Sequence, residues 1–249
     1  MVLDMIRLQV LQRQDVYREN IDFAKTRLNS EETALTSITQ GLQRASELAI
    51  QSANGTMVAQ DRAVLAAEVT ELRKELVRLA NSRDLEGNYI FAGNRIDSPP
   101  FAQDDQGNVE YYGDYGRLMI SVSDSRSVAV NTLGNELLTT DDFEAVKLLE
   151  DGLLTNDVAA LQQSVDELKM SSDRVSVTFG KMAGRISTLN AQSDLLEDTA
   201  LRLETILSQT GDLDYAKAIT QLSKESLALQ ALQASFTKIS QLSLFDFMR

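Results

Sequence analysis

Apolar residues recur every seven positions in two long stretches of the chain, one in each half. In the first half the repeat consists of Ile21, Leu28, Leu35, Leu42 and Ala49, with Ala24, Ile38 and Ala45 beside it. In the second half it consists of Leu161, Leu168, Val175, Met182, Leu189, Leu196 and Leu203, with a companion row at Val158, Val165, Ser172, Phe179, Ile186, Ser193, Ala200 and Leu207. Apolar residues that alternate three and four apart mark one face of a long helix that packs on other helices. The pattern therefore predicts two long helices in a bundle.

In the first half, the helical pattern extends over residues 3–53 and again over residues 60–83. The pair Asn54-Gly55 separates the two stretches and is a strong turn signal. We therefore expect one long helix, a tight turn and a second, shorter helix.

In the second half, helical patterning returns at the acidic pair Asp141-Asp142, a composition that suits the first turn of a helix. This short helix is predicted to end near Gly152. The long repeat then begins at residue 156 or 157 and continues to about residue 209. The segment 210–212, Thr-Gly-Asp, is predicted to break it before a last helix.

The segment between the helical halves has a different character. Residues 86–134 hold six of the chain's twelve glycines and six of its fourteen aromatic residues, together with the only prolines, Pro99 and Pro100. Short runs of β-branched and aromatic residues between glycines are typical of strands. The predicted strands are 87–93, 109–112, 118–122 and 127–131, with 113–116 joining the second and third as a hairpin and a turn at 104–108.

These elements predict a mainly α protein with a small β insertion. Residues 1–85 and 136–212 would form a long antiparallel, coiled-coil-like helical bundle that includes a hairpin at 86–95. Residues 96–135 would form a β-rich tip subdomain, and residues 213–249 a separate C-terminal helix.

Composition excludes several function classes. The 249 residues contain no histidine, cysteine or tryptophan, so zinc, haem and thiol chemistry lack their usual ligands. The net charge of −13 argues against binding to nucleic acid and to an anionic membrane surface. No run of about 18 apolar residues is present, so we expect no membrane span. We predict no catalytic residue, no metal ligand and no cofactor.

Paired carboxylates are the remaining candidates for chemistry. Asp104-Asp105 and Asp141-Asp142 are such pairs, but their contexts are typical of a turn and of a helix start. An enzyme that uses Asp104, Asp105 and Asp114 in the β segment is the alternative of a different class.

The last helix is unusually apolar. Residues 226–245 carry a single charge, Lys238, whereas an exposed helix normally has a charged face. An apolar face of this length requires a partner. The predicted interface consists of Leu222, Leu229, Leu232, Phe236, Ile239, Leu242, Phe245 and Phe247.

Three segments resemble bacterial flagellins. Residues 42–56, LQRASELAIQSANGT, are similar to the signature helix of that family, and the similarity continues in NSRDLEGNYIFAG at 81–93 and in residues 213–241. The β segment VEYYGDYGRLMISVSDSRSVAVN at 109–131 and the ending LSLFDF at 242–247 resemble the hook-associated members of the family. The chain is thus identified as a member of the flagellin family.

The resemblance implies a structural, flagellin-like protein of the bacterial flagellum that is secreted by the flagellar type III export apparatus and contributes to motility. It implies self-assembly as a junction subunit between hook and filament, with other copies, hook-associated protein 1 and flagellin as partners. It also implies that an export chaperone docks on the C-terminal helix. A filament flagellin subunit is the alternative within the family.

Family members carry a further segment before the first heptad repeat. The resemblance therefore leads to the expectation that the helix from about Tyr215 onward lacks its N-terminal partner within these residues, and that a chain so shortened would remain in the cytoplasm.

Overall fold

The structure is a computed structural model that describes the backbone of residues 2–54 and 57–246, and the side chains of residues 9–54, 57–206, 208 and 216–236. The chain divides into two compact units, residues 1–194 and 195–249. The described elements are α1 (Val2–Ser52), α2 (Ala59–Ala80), β1 (Phe101–Gln103), β2 (Val109–Tyr111), β3 (Met119–Ser123), β4 (Arg126–Ala129), α3 (Gly134–Leu137), α4 (Thr140–Thr155) and α5 (Val158–Asp246). The mainly α fold with a small β insertion is confirmed.

The first heptad repeat forms the buried face of α1. All five of its apolar residues are at most 1% exposed, and the companions Ala24, Ile38 and Ala45 are fully buried. Gly41 allows α2 to approach closely, since a Cβ atom at this position would lie 2.9 Å from Leu76 Cδ2. The prediction for α1 is confirmed to within one residue at each end.

The strand pairing in the middle differs from the prediction. Strand β2 pairs with β1 across the turn at 104–108, and β3 pairs with β4. The predicted hairpin between 109–112 and 118–122 is therefore wrong. Residue 114 is held elsewhere: the Tyr111 hydroxyl donates to its carbonyl oxygen at 2.8 Å, with the Phe91 carbonyl oxygen also 3.2 Å away, and the Asp114 N–H donates to the carbonyl of Ala92 at 3.1 Å.

The predicted strand at 87–93 is also wrong. This segment forms successive turns with one isolated bridge between Arg83 and Tyr89. Ile90, Phe91 and Ala92 are buried at 0–1% exposure, so the apolar run fills the core without pairing as a strand.

Helix α4 begins where the acidic pair predicted it. Asp142 accepts hydrogen bonds from the backbone N–H (2.7 Å) and hydroxyl (3.0 Å) of Thr139, in a capping box. The helix continues past Gly152 to Thr155, and Asn156 ends it in the left-handed conformation with φ 58°. The short helix α3 was not predicted.

The second heptad repeat forms the buried face of α5, but its neighbouring row differs from the prediction. Leu161, Leu168, Val175, Met182 and Leu189 are fully buried. The residues of the predicted companion row are half-buried wherever the structure describes them, so this row lies at the edge of the buried face of α5. The core positions instead belong to Ser164, Ser171, Thr178, Arg185 and Gln192, here called the α5 polar row; all are buried except Arg185, which is half-buried.

Helix α5 is continuous from Val158 to Asp246, so the predicted break at residues 210–212 is wrong. One glycine costs a helix only about 1 kcal/mol relative to alanine, and Thr and Asp beside it cost at most about 0.7 kcal/mol each, so a long helix can continue through all three. Among the described residues, no helix is both long enough and apolar enough to cross a membrane.

Candidate assembly surface

The predicted interface lies on the distal part of α5. All residues from 216 to 236 are exposed. Leu222, Leu229, Leu232 and Phe236 are 69%, 59%, 68% and 75% exposed, respectively. The side chains of Ile239, Leu242 and Phe245, and all of Phe247, lie outside the described residues. For the four described members, the structure thus presents large apolar side chains to solvent.

Spacing brings these four side chains to one face of the helix. Leu222, Leu229 and Phe236 are seven residues apart, and Leu232 follows Leu229 by three. On an α-helix such positions lie in a single stripe, which we call the α5 stripe. Leu227, equally exposed at 68%, lies on the opposite side of the helix. The α5 stripe has the form of one side of a two-helix seam.

Charge is confined to the beginning of this segment. Lys217, Lys224 and Glu225 precede residues that are mostly Ala, Leu, Ser and Gln, and Gln221 donates to Glu225 across one turn at 3.2 Å. The flanks of the α5 stripe therefore impose little electrostatic repulsion on an approaching helix. Chemically, the surface offers apolar packing.

In the first unit, the α5 polar row holds the connection that leads from the β strands into α4. Thr178 donates to the carbonyl of Glu136 at 2.8 Å, and Arg185 donates to that of Asn131 at 3.0 Å. Beside this row, Arg174 forms an ion pair with Asp142 at 2.6 Å. Burial lowers the pKa of Arg185 from its usual value. Sequence reasoning missed this role, although a polar residue at every seventh position was its visible signal.

Glu31 lies inside the bundle at a core position of α1. It is fully buried, and its Oε1 atom accepts the backbone N–H of Thr132 at 3.1 Å. Among the described residues, its Oε2 atom has no hydrogen-bond donor. Burial raises the pKa of Glu31 to about 7, against the opposing influence of Thr132 and of Arg27 and Arg185. A glutamate between Ala24 and Ile38 in the repeat was the signal that could have revealed it.

Arg62, in the first turn of α2, forms hydrogen bonds to the C-terminal ends of α1 and α4. Its guanidinium donates to the carbonyl oxygens of Ser52 (3.3 Å) and Asn54 (3.2 Å), and to the side chain of Asn156. Arg62 is only 3% exposed, and through the carbonyl of the buried Ser52 it satisfies an acceptor at the C-terminal end of α1.

The β3–β4 hairpin is attached to α1 by polar contacts. Asp124 accepts hydrogen bonds from Arg13 at 3.0 Å and Tyr17 at 2.8 Å, and Asn20 donates to the carbonyl of Ser121 at 2.8 Å. The hydrogen bond to Asp124 raises the pKa of Tyr17.

The carboxylates of the β segment are engaged by the backbone. Asp104 accepts the N–H groups of Gln106 and Asn108, both at 2.8 Å, and these bonds lower its pKa. Asp114 accepts those of Asn94 and Gly116, both at 2.7 Å, with the same effect on its pKa. Within the described ranges, no group of three acidic side chains is placed to hold a metal ion. The turn interpretation of Asp104 is confirmed.

Comparisons with known proteins give a consistent picture. The family model described as the bacterial flagellin N-terminal helical region matches residues 6–95. The chain is 28% identical over 253 residues to flagellar hook-associated protein 3 of Salmonella typhimurium, an alignment that covers 91% of this chain and 79% of the relative.

Solved structures share the fold. A flagellar hook-associated protein from Vibrio parahaemolyticus superimposes with a TM-score of 0.77 at 20% identity, over 83% of this chain and 96% of the other. Hook-associated protein 3 from Legionella pneumophila gives a TM-score of 0.76 at 16% identity, over 85% and 99%, respectively.

Proposed function

Because the chain is a flagellin-like protein similar to flagellar hook-associated protein 3, we propose that it is a structural subunit that joins the hook to the filament of the bacterial flagellum. The α5 stripe is the observation that supports this proposal most directly. Four large apolar side chains on one helical face require a partner surface in the working protein.

Energetics favours a multi-subunit assembly over a simple pair. Burying the four described side chains contributes roughly 6–12 kcal/mol, at about 1.5–3 kcal/mol each. Association of two molecules costs an estimated 4–15 kcal/mol. The free energy gained from one stripe is therefore barely enough to offset the cost of association. A stable assembly requires each subunit to contact several neighbours.

The proposed domain arrangement follows from this role. The helical bundle of residues 1–85 and 136–212 provides the surfaces between neighbouring subunits, the β subdomain of 96–135 is attached to that bundle through α1, and residues 213–249 form the assembly helix. The partners are other copies of this chain, hook-associated protein 1 and flagellin.

Export poses a second requirement for the α5 stripe. A chain that leaves through the flagellar type III apparatus must be kept from assembling beforehand, and an exposed apolar helix is prone to premature association. We propose that an export chaperone covers the α5 stripe before export, and that hook or filament helices replace it afterwards.

The test uses purified hooks that carry hook-associated protein 1, to which this chain is added before flagellin. We expect the chain to bind at the hook tip and to permit filament growth there, as seen by immunogold electron microscopy. Leu232→Asp should abolish binding. Leu227→Asp is the matched control, since both leucines are 68% exposed on the same helix but on opposite faces.

Two results would contradict the proposal. Absence of the wild-type chain from hook tips would exclude the junction role, and equal loss of binding in both variants would show that the stripe is not the contact. The filament-flagellin alternative predicts long polymers of the chain alone, without hooks, which the same microscopy would reveal.

A further inference from the structure

Leu85 is the most exposed large apolar side chain that the structure describes. It is 95% exposed, whereas the next, Phe236 on α5, is 75% exposed. It stands at the tip of the loop formed by residues 84–88, Asp-Leu-Glu-Gly-Asn, which we call the Leu85 loop.

Several bonds fix the conformation of this loop. Asp84 Oδ1 accepts the N–H groups of Glu86 and Asn88, both at 2.9 Å, and Asp84 N–H donates to the Asn88 carbonyl at 2.9 Å. Gly87 has φ +88°, a conformation that favours glycine. Arg27 anchors the loop to α1 through an ion pair of 3.6 Å with Asp84. Leu85 is thus presented by a loop that loses little conformational freedom on binding.

A groove of matching size lies between α1 and α5 in the first unit. It has a volume of about 300 Å³ and is lined by Thr36, Thr39, Gln40, Ser176 and Phe179. We call it the α1–α5 groove. Its rim of hydroxyl and amide groups carries no charge, so it can receive an acidic loop without burying an unpaired cation or a like charge. Its volume accommodates a leucine side chain with part of the adjoining backbone.

The loop and the groove lie on opposite flanks of the buried face of α1. Arg27, which binds the loop, and Thr39, which lines the groove, are 12 positions apart. They are thus separated by about 120° around the helix and by about 18 Å along it. The buried residues Leu28 and Leu35 fall between the two directions.

We propose that Leu85 of one copy of this chain inserts into the α1–α5 groove of the next copy. The inference rests on the proposed junction function. A projection and a groove on different faces of one molecule make a heterologous contact, which generates a ring or a helical array. The proposed function already requires each subunit to contact several neighbours, and a heterologous contact repeats from one copy to the next, so we assign a second copy as the occupant.

The absence of cysteine from the chain permits a direct test by disulfide formation. Leu85→Cys protein mixed with Ser176→Cys protein should form a mixed disulfide dimer under mild oxidation. Ser187→Cys, also exposed on α5 but about 16 Å further along the helix, should not cross-link to Leu85→Cys. If Ser176→Cys protein instead forms mainly a disulfide-linked dimer with itself, or if excess flagellin prevents the mixed disulfide, the groove belongs to another occupant and the proposal is overturned.

A second measurement separates this inference from the junction function. Leu85→Asp should weaken self-association in analytical ultracentrifugation at least about tenfold, as expected for a lost buried leucine. Leu154→Asp, a control on α4 that is 63% exposed, should not. Unchanged self-association of Leu85→Asp, together with normal binding of the wild type to hooks, would overturn the contact and leave the junction role intact. Failure of the wild type to bind hooks would overturn the junction role itself.

Discussion

At the scale of single residues, the helical core contains polar side chains at positions where the heptad pattern calls for apolar ones. Glu31 in α1 and Ser164, Ser171 and Thr178 in α5 are buried. The hydroxyls of the α5 residues donate to backbone carbonyls at 2.8–3.0 Å, so their burial costs little free energy of folding. Glu31 differs, because a buried carboxylate is penalised when it ionises.

We therefore expect Glu31→Gln to stabilise the fold in a pH-dependent manner. The pKa of Glu31 is raised from 4.5 to about 7, so the folded state gains stability from the bound proton below pH 4.5 and loses it as pH rises to 7. The uncharged variant escapes this loss. The gain in the free energy of unfolding should grow from near zero at pH 4.5 to about 3 kcal/mol at pH 8.

Urea denaturation of both proteins at several pH values measures this gain. Glu144→Gln removes an exposed carboxylate from α4 and controls for the change in net charge. A stabilisation by Glu31→Gln that is the same at pH 5 and pH 8 would contradict the explanation.

At the scale of elements, the sequence predicts helices well and strand pairing poorly, for a physical reason. A helix bonds to itself, so the spacing of Leu28, Leu35 and Leu42 is sufficient to define α1. Which strands pair, in contrast, depends on contacts made by residues outside the strand itself. The turn at 104–108 was predicted, but the pairing of β1 with β2 across it was not, because hydrophobic periodicity does not specify which strands pair.

In the candidate interface, too, features set within one helix were predicted and features set by contacts between elements were not. Periodicity and low charge predict the α5 stripe and its place on one helical face, because both are properties of the helix alone. The Leu85 loop and the α1–α5 groove were not predicted, since a groove exists only after Phe179 and Thr39 are brought together by tertiary packing.

The continuity of α5 leads to a prediction at Gly211. Because this residue lies inside a helix, Gly211→Ala should increase the stability of the surrounding helix by up to about 1 kcal/mol. Thermal unfolding followed by circular dichroism near 222 nm would detect a higher midpoint. A destabilised variant would indicate that Gly211 adopts a non-helical conformation, as the sequence pattern alone had predicted.

At the scale of the whole molecule, the two units differ in how their helices are supported. In residues 1–194, the heptad residues of α1 and α5 are buried, whereas residues 216–236 are exposed throughout. An isolated helix gains little stability in water beyond its own hydrogen bonds, so its amides open readily.

We therefore expect two levels of protection in amide hydrogen exchange of the monomer. Residues 161–189 should exchange slowly, at rates set by unfolding of the first unit, and residues 216–236 should exchange faster by several orders of magnitude. On assembly at hooks, the second segment should become protected. Strong protection of residues 216–236 in a protein shown to be monomeric would contradict the proposed role of the α5 stripe.

The contacts that close the first unit join residues far apart along the chain. Glu31 binds Thr132 across 101 positions, and Tyr17 binds Asp124 across 107. Contacts of such long sequence separation make folding slow, because long loops must close before any of the contacts contributes. Helix α2 is available to α1 early, but most of the polypeptide must be synthesised before α1 can bind the β3–β4 hairpin and Thr132. That delay lengthens the time during which the chain remains unfolded, and the proposed export would have to take place within this time.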